Sequence, residues 1–274
     1  MTVCLAALCR DGDESRAVVA TDRMVSLAGF IEFEHAIPKM VTASTRALAM
    51  SAGDALIGSR IAEEVARSLA GTPTVLEIAQ QLARHYEATR TARIEHQLLA
   101  LRGLNFQAFY GGHNSFNPQL AMMLDQQMQQ FNLGVELLLA GVDDTGAHIY
   151  SIQNPGQPEN LHDIIGYAAI GSGAIHGIQS MIGFGHTGQA QYHETVFRVY
   201  ASKRRSEVAP GVGLDTDMAI IGAGGIHRLS DDELDQLRQI YENFETSTTA
   251  ALTEQLAAFK LGEATAEKEA SGDG

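Results

Sequence analysis

The sequence has few cysteines, few basic residues and no long apolar run. Only two of its 274 residues are cysteines, and 19 lysines and arginines stand against 33 aspartates and glutamates. The formal net charge of -14 argues against a nucleic-acid-binding surface, because such surfaces concentrate lysine and arginine. No segment approaches the roughly 20 apolar residues that a membrane-spanning helix needs. We therefore expect neither nucleic acid nor a membrane as a partner.

The two cysteines, Cys4 and Cys9, lie five residues apart on one predicted strand. An extended segment of this length holds their Cα atoms too far apart for a disulfide. We expect buried free thiols, which suit a reducing cytoplasm. The start has no basic segment before its apolar run, and Arg10 and Asp11 end that run early, so no secretory signal is expected. These features predict a cytoplasmic protein.

Short apolar segments separated by turn residues predict two β-hairpins at the start of the chain. The first pairs residues 2–9 with 17–22, and the second pairs 39–43 with 46–52. A loop is expected between them, over 24–37. Four short strands so close together indicate an antiparallel sheet.

The apolar period then changes to that of helices. Asp54 is expected to cap one helix. Thr74 and Glu77 form a capping box for a second helix that extends toward Leu101. The segment 103–118 is left unassigned.

The second half of the chain repeats the order of strands followed by two helices. This order predicts an α+β fold, a four-layer αββα sandwich of two antiparallel sheets flanked by helices. We expect one domain over 1–262 and a disordered, charged tail over 263–274. The predicted strands are 135–142, 147–152, 166–170, 218–222 and 225–229, and the predicted helices are 174–184, 192–208 and one from Ser230 toward Phe244.

Thr2 directly follows Met1 and heads the first strand. A threonine that becomes the first residue carries a hydroxyl nucleophile and a free amine on one Cα, and that amine can act as the base. Threonine is also a common second residue, and strands favour β-branched side chains. Thr2 alone is therefore weak evidence for a catalytic nucleophile.

Four short motifs follow Thr2, and their order along the chain is informative. They are Ala20-Thr21-Asp22-Arg23, Lys39, Ser51-Ala52-Gly53-Asp54 and Ala169-Ile170-Gly171-Ser172-Gly173. With Thr2, they make the chain resemble the proteasome β-subunit-like members of the N-terminal nucleophile hydrolases. The resemblance extends from Thr2 to about Phe244.

The resemblance implies a role for each matching residue. The Thr2 hydroxyl would attack an amide carbonyl, Lys39 would keep the local potential positive, and Asp22 would pair with Lys39. The Gly53 N–H would bind the oxyanion, and Ser172 would assist proton transfer near the Thr2 amine. Without the resemblance, Asp22 fits a turn, Lys39 a solvated lysine, and the two glycine-containing segments ordinary loops.

Two departures from the family pattern stand out. Where the family has an aspartate followed three residues later by a serine, this chain has Glu207 and Pro210. Proline offers neither a hydroxyl nor a backbone N–H, so the network around the terminal amine is altered. We also expect no propeptide before Thr2, so its exposure would depend on removal of Met1 alone.

The resemblance thus implies a threonine-type peptidase that acts on peptides or unfolded proteins. It also implies a homo-oligomeric ring or open spiral, with an unfoldase partner that the sequence does not identify. A non-proteolytic amidase or acylase of the same fold is the alternative, as is a catalytically inactive structural subunit.

No cofactor or metal is expected. The segment Gly222-Ala223-Gly224-Gly225 follows a strand but opens no helix with a basic residue, as a phosphate-binding loop would. Several histidines lack the tight spacing of metal ligands. These are His113, His176, His186, His193 and His227.

Overall fold

The computed structural model describes most of the chain. Contacts divide the chain into two compact units, Met1–Leu234 and Asp235–Gly274. One domain over 1–262 stays a prediction, and the tail predicted over 263–274 lies outside the described residues. The described ranges are 2–27, 31–34, 39–112, 115–160 and 162–259.

The protein combines strands and helices in an α+β fold. The strands are β1 (Cys4–Asp11), β2 (Glu14–Asp22), β3 (Met24–Leu27), β4 (Ile31–Glu34), β5 (Met40–Ser44), β6 (Ala47–Gly53), β7 (Val135–Asp143), β8 (Gly146–Ile152), β9 (Pro158–Glu159), β10 (Tyr167–Ile170), β11 (Thr216–Gly222) and β12 (Gly225–Arg228). The helices are α1 (Ala55–Ser68), α2 (Val75–Ile94), α3 (Phe106–Gly112), α4 (Pro118–Gln129), α5 (His162–Ile165), α6 (Ala174–Gly183), α7 (Tyr192–Ser206) and α8 (Asp231–Ala258).

Ten of the strands form two antiparallel five-stranded sheets. The first has the order β10-β1-β2-β11-β12, and the second has the order β5-β6-β7-β8-β9. Both predicted N-terminal hairpins and the hairpin of β7 and β8 are confirmed. In the first hairpin Cys4 pairs with Thr21, so the end of β2 lies beside the start of β1.

The loop predicted over 24–37 is wrong for part of its length. Strands β3 and β4 pair there as a separate two-stranded sheet. The sequence Ile31-Glu32-Phe33-Glu34 alternates apolar and acidic residues, which is the strand pattern that the loop prediction overlooked.

The two five-stranded sheets share a buried apolar cluster. Cys4, Ala6 and Leu8 of β1 meet Leu138 and Ala140 of β7 in that cluster. The side chains are mainly small, and burial of these faces removes apolar area from water. The arrangement is compatible with a sheet-on-sheet sandwich.

Helices cover the other side of the second sheet. Ile61 and Val65 of α1 and Ile78 and Leu82 of α2 form one buried cluster with Leu137 of β7. Helix α7 contacts β1 and β2, and helix α6 contacts β10, so each five-stranded sheet has helices beside it.

The predicted helix starts are confirmed by their capping contacts. The Asp54 carboxylate accepts the N–H groups of Leu56 and Ile57 at 3.1 Å each. Thr74 and Glu77 form the reciprocal capping box. These contacts satisfy N–H groups that have no partner within the helix.

Two regions differ from the predicted elements. The unassigned segment 103–118 contains α3 and leads to α4, and Phe109, Leu124 and Met128 form a small buried cluster there. Helix α8 continues past Phe244 to Ala258, since no glycine or proline interrupts that stretch. No helix in the described ranges combines the length and apolarity needed to cross a membrane.

Candidate active site

Thr2 lies two residues before the first residue of β1, and only 2% of its surface is exposed. Its backbone nitrogen donates to the Ser172 hydroxyl at 3.2 Å, and its carbonyl oxygen accepts the Gly173 N–H at 3.1 Å. Gly171 has a φ of +91° and passes so close to this carbonyl that any Cβ there would collide with it. The Gly171–Gly173 segment therefore fixes the backbone of Thr2.

Asp22 ends β2 and is completely buried. The antiparallel register places it beside Val3, whose N–H donates to Oδ1 at 2.9 Å. The N–H groups of Met24 and Gly213 each donate to Oδ2 at 3.0 Å. Three backbone donors thus orient one carboxylate at the side of Thr2.

Lys39 brings a cation to Asp22 from the start of the second hairpin. It directly precedes β5, and its Nζ lies 2.9 Å from Oδ1 of Asp22. The Lys39 side chain is 11% exposed, so the pair is largely removed from water. A buried charge is tolerated where an opposite charge and hydrogen bonds compensate it.

The Thr2 hydroxyl contacts both members of this pair. Its Oγ1 donates to Oδ1 of Asp22 and accepts a hydrogen bond from Nζ of Lys39. An ammonium in contact with a hydroxyl oxygen stabilises negative charge that develops on that oxygen. The arrangement can therefore support a nucleophilic Oγ1.

Gly53 ends β6 and borders the same cavity as Thr2. Its φ is +89°, and a Cβ at this position would collide with the carbonyl oxygen of Gly134. Glycine is therefore needed here for two reasons, the backbone conformation and the close approach of Gly134.

The cavity beside Thr2 has a volume of about 620 Å³. Gly53, Gly134, Gly171 and Val135 form part of its wall. The rest of the wall is polar and consists of Thr2, Asn132, Glu136, Gln153, Asn154 and Ser172.

Ser172 occupies the position expected from the sequence, beside the Thr2 nitrogen. Its hydroxyl also lies 3.4 Å from the carbonyl oxygen of Thr2 and 3.3 Å from that of Pro210. Pro210 lacks the serine hydroxyl of the family pattern, but its backbone carbonyl still provides an acceptor to Ser172. The sequence alone could not predict this contact, because its acceptor is a backbone carbonyl and not a side chain.

Glu207 makes its contacts with residues other than the predicted site residues. It follows α7, and its Oε1 is 2.7 Å from Nζ of Lys203 and 3.1 Å from the Arg204 guanidinium. No hydrogen bond joins Glu207 to Thr2 or Ser172 in the part of the chain that the structure describes. Its expected position beside the terminal amine is thus not supported by a direct contact.

Glu207 instead supports a buried lysine that the sequence reasoning missed. Lys203 is fully buried and donates to the carbonyl oxygens of Gly213 and Leu214 at 2.9 and 2.8 Å. The N–H of Gly213 donates in turn to Asp22. Burial lowers the pKa of Lys203, and the charge of Glu207 opposes that shift. Glu207 therefore connects to the site through Lys203 and the backbone at Gly213.

Glu136 is a second residue that the sequence reasoning missed. It is half-buried on β7, and its Oε2 accepts the Gly171 N–H at 2.7 Å. A signal was present, because Glu136 is the one charged residue in the apolar run Val135–Val142. An acid in a buried strand needs a partner or a function.

The two cysteines are free and buried, as predicted. Burial raises the pKa of the Cys4 thiol well above its usual range, and it raises that of Cys9 to about 11. Both thiols therefore stay protonated at neutral pH, and neither is a competing nucleophile.

The histidines do not form a metal site among the described residues, and the Gly222–Gly225 segment does not form a phosphate-binding loop. Among the described residues, no three or more His, Cys, Asp or Glu side chains are grouped to hold a metal ion. His186 is buried with Nε2 3.0 Å from the Leu8 carbonyl oxygen, and His113 lies outside the described residues. Gly222 pairs with Gly225 across the tight turn between β11 and β12, which opens no helix.

Comparison with known proteins yields no relative: no protein-family model matches the chain, and no curated protein matches it. The assignment of a function therefore depends on the geometry around Thr2 and on the motifs that surround it.

Proposed function

We propose that the protein is a threonine-type peptidase that hydrolyses peptide bonds, with Thr2 as the first residue of the active chain. The observation that carries the proposal is the Thr2 hydroxyl held between Asp22 and Lys39. A hydroxyl attacking a carbonyl must lose its proton, and a contacting ammonium lowers the cost of the charge that develops. The nearby cavity offers room for the substrate.

We further propose that the chain is a proteasome β-subunit-like N-terminal nucleophile hydrolase with a four-layer αββα sandwich. Three features support this proposal. The motifs from Thr2 to Ser172 occur in the family order. Two five-stranded antiparallel sheets share one core, and pairs of helices lie beside them.

The proposed reaction proceeds in two steps. Oγ1 of Thr2 forms a bond to the substrate carbonyl carbon, and the freed Thr2 amine takes the Oγ1 proton through a water. The amine then protonates the leaving nitrogen as the C–N bond breaks, which leaves an ester on Thr2. A water hydrolyses this ester and restores the hydroxyl.

Each neighbouring residue has one task in this scheme. Lys39 stabilises the alkoxide, and Asp22 holds Lys39 and the hydroxyl in place. The Gly53 N–H stabilises the oxyanion, and Ser172 orients the amine to which it is bonded. Glu207 acts only through Lys203 and Gly213.

The proposal also includes the oligomeric assembly and the cellular location of the protein. We propose a cytoplasmic homo-oligomer, a ring or open spiral, that cleaves peptides or unfolded proteins presented by an unfoldase. These parts depend on the resemblance alone, and native mass spectrometry of the purified protein would test the assembly directly.

The proposal is tested by intact mass spectrometry with a threonine-directed covalent inhibitor. We expect a chain that lacks Met1 and that gains one inhibitor mass on Thr2. The Thr2→Ala variant should lose the adduct while its assembly is kept. A retained Met1, or no adduct on a chain that begins at Thr2, would contradict a peptidase.

A substrate panel then separates peptidase from small-amide hydrolase. Unfolded proteins and tripeptide amides are compared with acylated single amino acids and simple amides. Turnover of the peptides supports the proposal, whereas turnover confined to the small amides would favour an amidase or acylase of the same fold.

A further inference from the structure

Among the described residues, one charged side chain lines the cavity beside Thr2. Within the described ranges, Glu136 is the only charged side chain among the residues that line it. The other polar walls are amides and hydroxyls, which are neutral. A carboxylate in a partly enclosed cavity attracts a cation more strongly than the same group does in bulk water, because the protein around it screens charge less than water does.

The Glu136 carboxylate is held in a fixed position. Its Oε2 accepts the Gly171 N–H at 2.7 Å, and Glu136 itself pairs with Ala52 across β6 and β7. Gly171 contacts the Thr2 carbonyl, and Ala52 precedes Gly53. The carboxylate is therefore anchored next to both the nucleophile and the proposed oxyanion donor.

Oε1 of Glu136 remains available. In the described part of the chain, the Gly171 N–H is the only recorded hydrogen-bond partner of this carboxylate. A carboxylate can accept about four hydrogen bonds, so one from Gly171 leaves capacity for an ammonium or a guanidinium.

Two cations that contact residues of the cavity wall have other partners. Lys39 is bonded to Asp22 and to the Thr2 hydroxyl. The Arg90 guanidinium donates to the Asn154 side chain and to the carbonyl oxygens of Phe131, Met128 and Gln129. Neither forms an ion pair with Glu136, whose charge therefore faces the cavity without compensation.

We propose that Glu136 makes the site select substrates with a cationic side chain, lysine or arginine, on the residue that supplies the scissile carbonyl. This inference rests on the proposed function, since it assigns a substrate class to the same cavity. Glu136 acts as a specificity residue and not as a participant in the bond changes.

Kinetics of matched substrates test the inference. Three acylated tripeptide amides with the same fluorogenic leaving group carry lysine, norleucine or glutamate next to the scissile bond. Norleucine keeps the lysine chain length without its charge. We expect kcat/KM for the lysine substrate to exceed that for norleucine by about tenfold, with glutamate the poorest.

The Glu136→Gln variant removes the charge but keeps an oxygen that can accept the Gly171 N–H. We expect the lysine-to-norleucine ratio of kcat/KM to fall to near one. The control is Glu159→Gln, which removes an exposed carboxylate of β9 outside the cavity and should keep the wild-type ratio. An unchanged ratio in Glu136→Gln would overturn the inference.

Binding separates failure of the inference from failure of the proposed function. The Thr2→Ala variant is titrated calorimetrically with the lysine and norleucine peptides, so no turnover is needed. Tighter binding of the lysine peptide, lost on adding Glu136→Gln, supports cation selection even without hydrolysis. Equal binding contradicts it, and an inhibitor adduct on wild-type Thr2 would then leave only the peptidase proposal standing.

Discussion

Nζ of Lys39 lies 2.9 Å from Oδ1 of Asp22, and both groups contact the hydroxyl of Thr2. The two residues are 17 positions apart; Asp22 ends a strand of the first sheet, and Lys39 directly precedes a strand of the second. One ion pair therefore joins the end of the first hairpin to the start of the second, at the place where the nucleophile is proposed.

Replacing Lys39 with methionine should affect reactivity and stability together. The alkoxide loses its ammonium, so the rate of Thr2 labelling should fall by about a hundredfold or more. Asp22 becomes a buried charge without its counter-ion, which costs about 3–5 kcal/mol of unfolding free energy. Inhibitor labelling and urea unfolding measure the two effects.

The double variant Asp22→Asn with Lys39→Met is the control for this experiment. Removing both charges should restore much of the unfolding free energy without restoring labelling. Labelling that recovers with stability would mean that the pair serves only to hold the fold.

Gly53→Ala should be more damaging than an alanine at another left-handed glycine. Gly53 has a φ of +89° and would place its Cβ against the Gly134 carbonyl, whereas Gly12 has a φ of +61° and nothing within 4 Å of a Cβ. We expect Gly12→Ala to cost about 1 kcal/mol from the backbone conformation alone. Gly53→Ala should cost several times more and abolish labelling of Thr2. Equal losses in thermal unfolding would contradict the close approach.

Glu207→Gln should lower stability without changing the titration of the site. Its carboxylate pairs with Lys203 and Arg204, so its loss should cost about 1–3 kcal/mol of unfolding free energy. The midpoint of the pH profile for Thr2 labelling should stay in place. Ser172→Ala, which removes the hydroxyl bonded to the Thr2 nitrogen, should move that midpoint. A comparable movement in Glu207→Gln would instead place its charge at the amine.

His148 should make stability depend on pH. Its Nδ1 lies 2.7 Å from Oδ2 of Asp163, and Asp143 lies near its other nitrogen, so the pKa of His148 is raised. The folded state therefore binds the proton more tightly than the unfolded chain does. This stabilisation is fully present below about pH 6.5 and is lost as the pH rises through the folded pKa.

The measurement is the unfolding free energy of wild type and His148→Gln across neutral pH. The advantage of the wild type should shrink as the pH increases. His193→Gln, at an exposed position of α7, is the matched control for replacing an imidazole. A difference that stays constant with pH would contradict the ionic contribution of His148.

The sequence predicted most elements of the fold because their causes are local. Alternating apolar residues gave the strands of both hairpins, and side chains three positions apart gave the capping box of Thr74 and Glu77. The prediction failed over 24–37, where two strands of four residues each are short and the alternation of Ile31-Glu32-Phe33-Glu34 was overlooked. The 103–118 segment was undecided because its aromatic residues pack against the flanking helices, at Ile94, Leu124 and Met128, and not in a simple strand or helix period.

The candidate site was partly predictable for a similar reason. Thr2, Asp22, Lys39, Gly53 and Ser172 stand at strand ends, and a motif order can be read without coordinates. Glu136 and the N–H of Gly213 were missed because their contacts, to Gly171 and Asp22, join residues far apart in sequence. Lys203 was missed because its burial depends on the packing of the whole fold. The contact of Pro210 with Ser172 was also missed, because the sequence shows the loss of a serine side chain but not the position of a backbone carbonyl.

By itself the sequence determined which residues could form strands, helices and caps, since those preferences arise between neighbours along the chain. Only the tertiary structure decided that the Thr2 hydroxyl meets Asp22 and Lys39, that Glu136 supplies the charge of the cavity, and that Glu207 serves Lys203. Hydrogen bonds and ion pairs act over a few ångströms of space, and only the packing of the sheets and helices determines which distant residues come within that range.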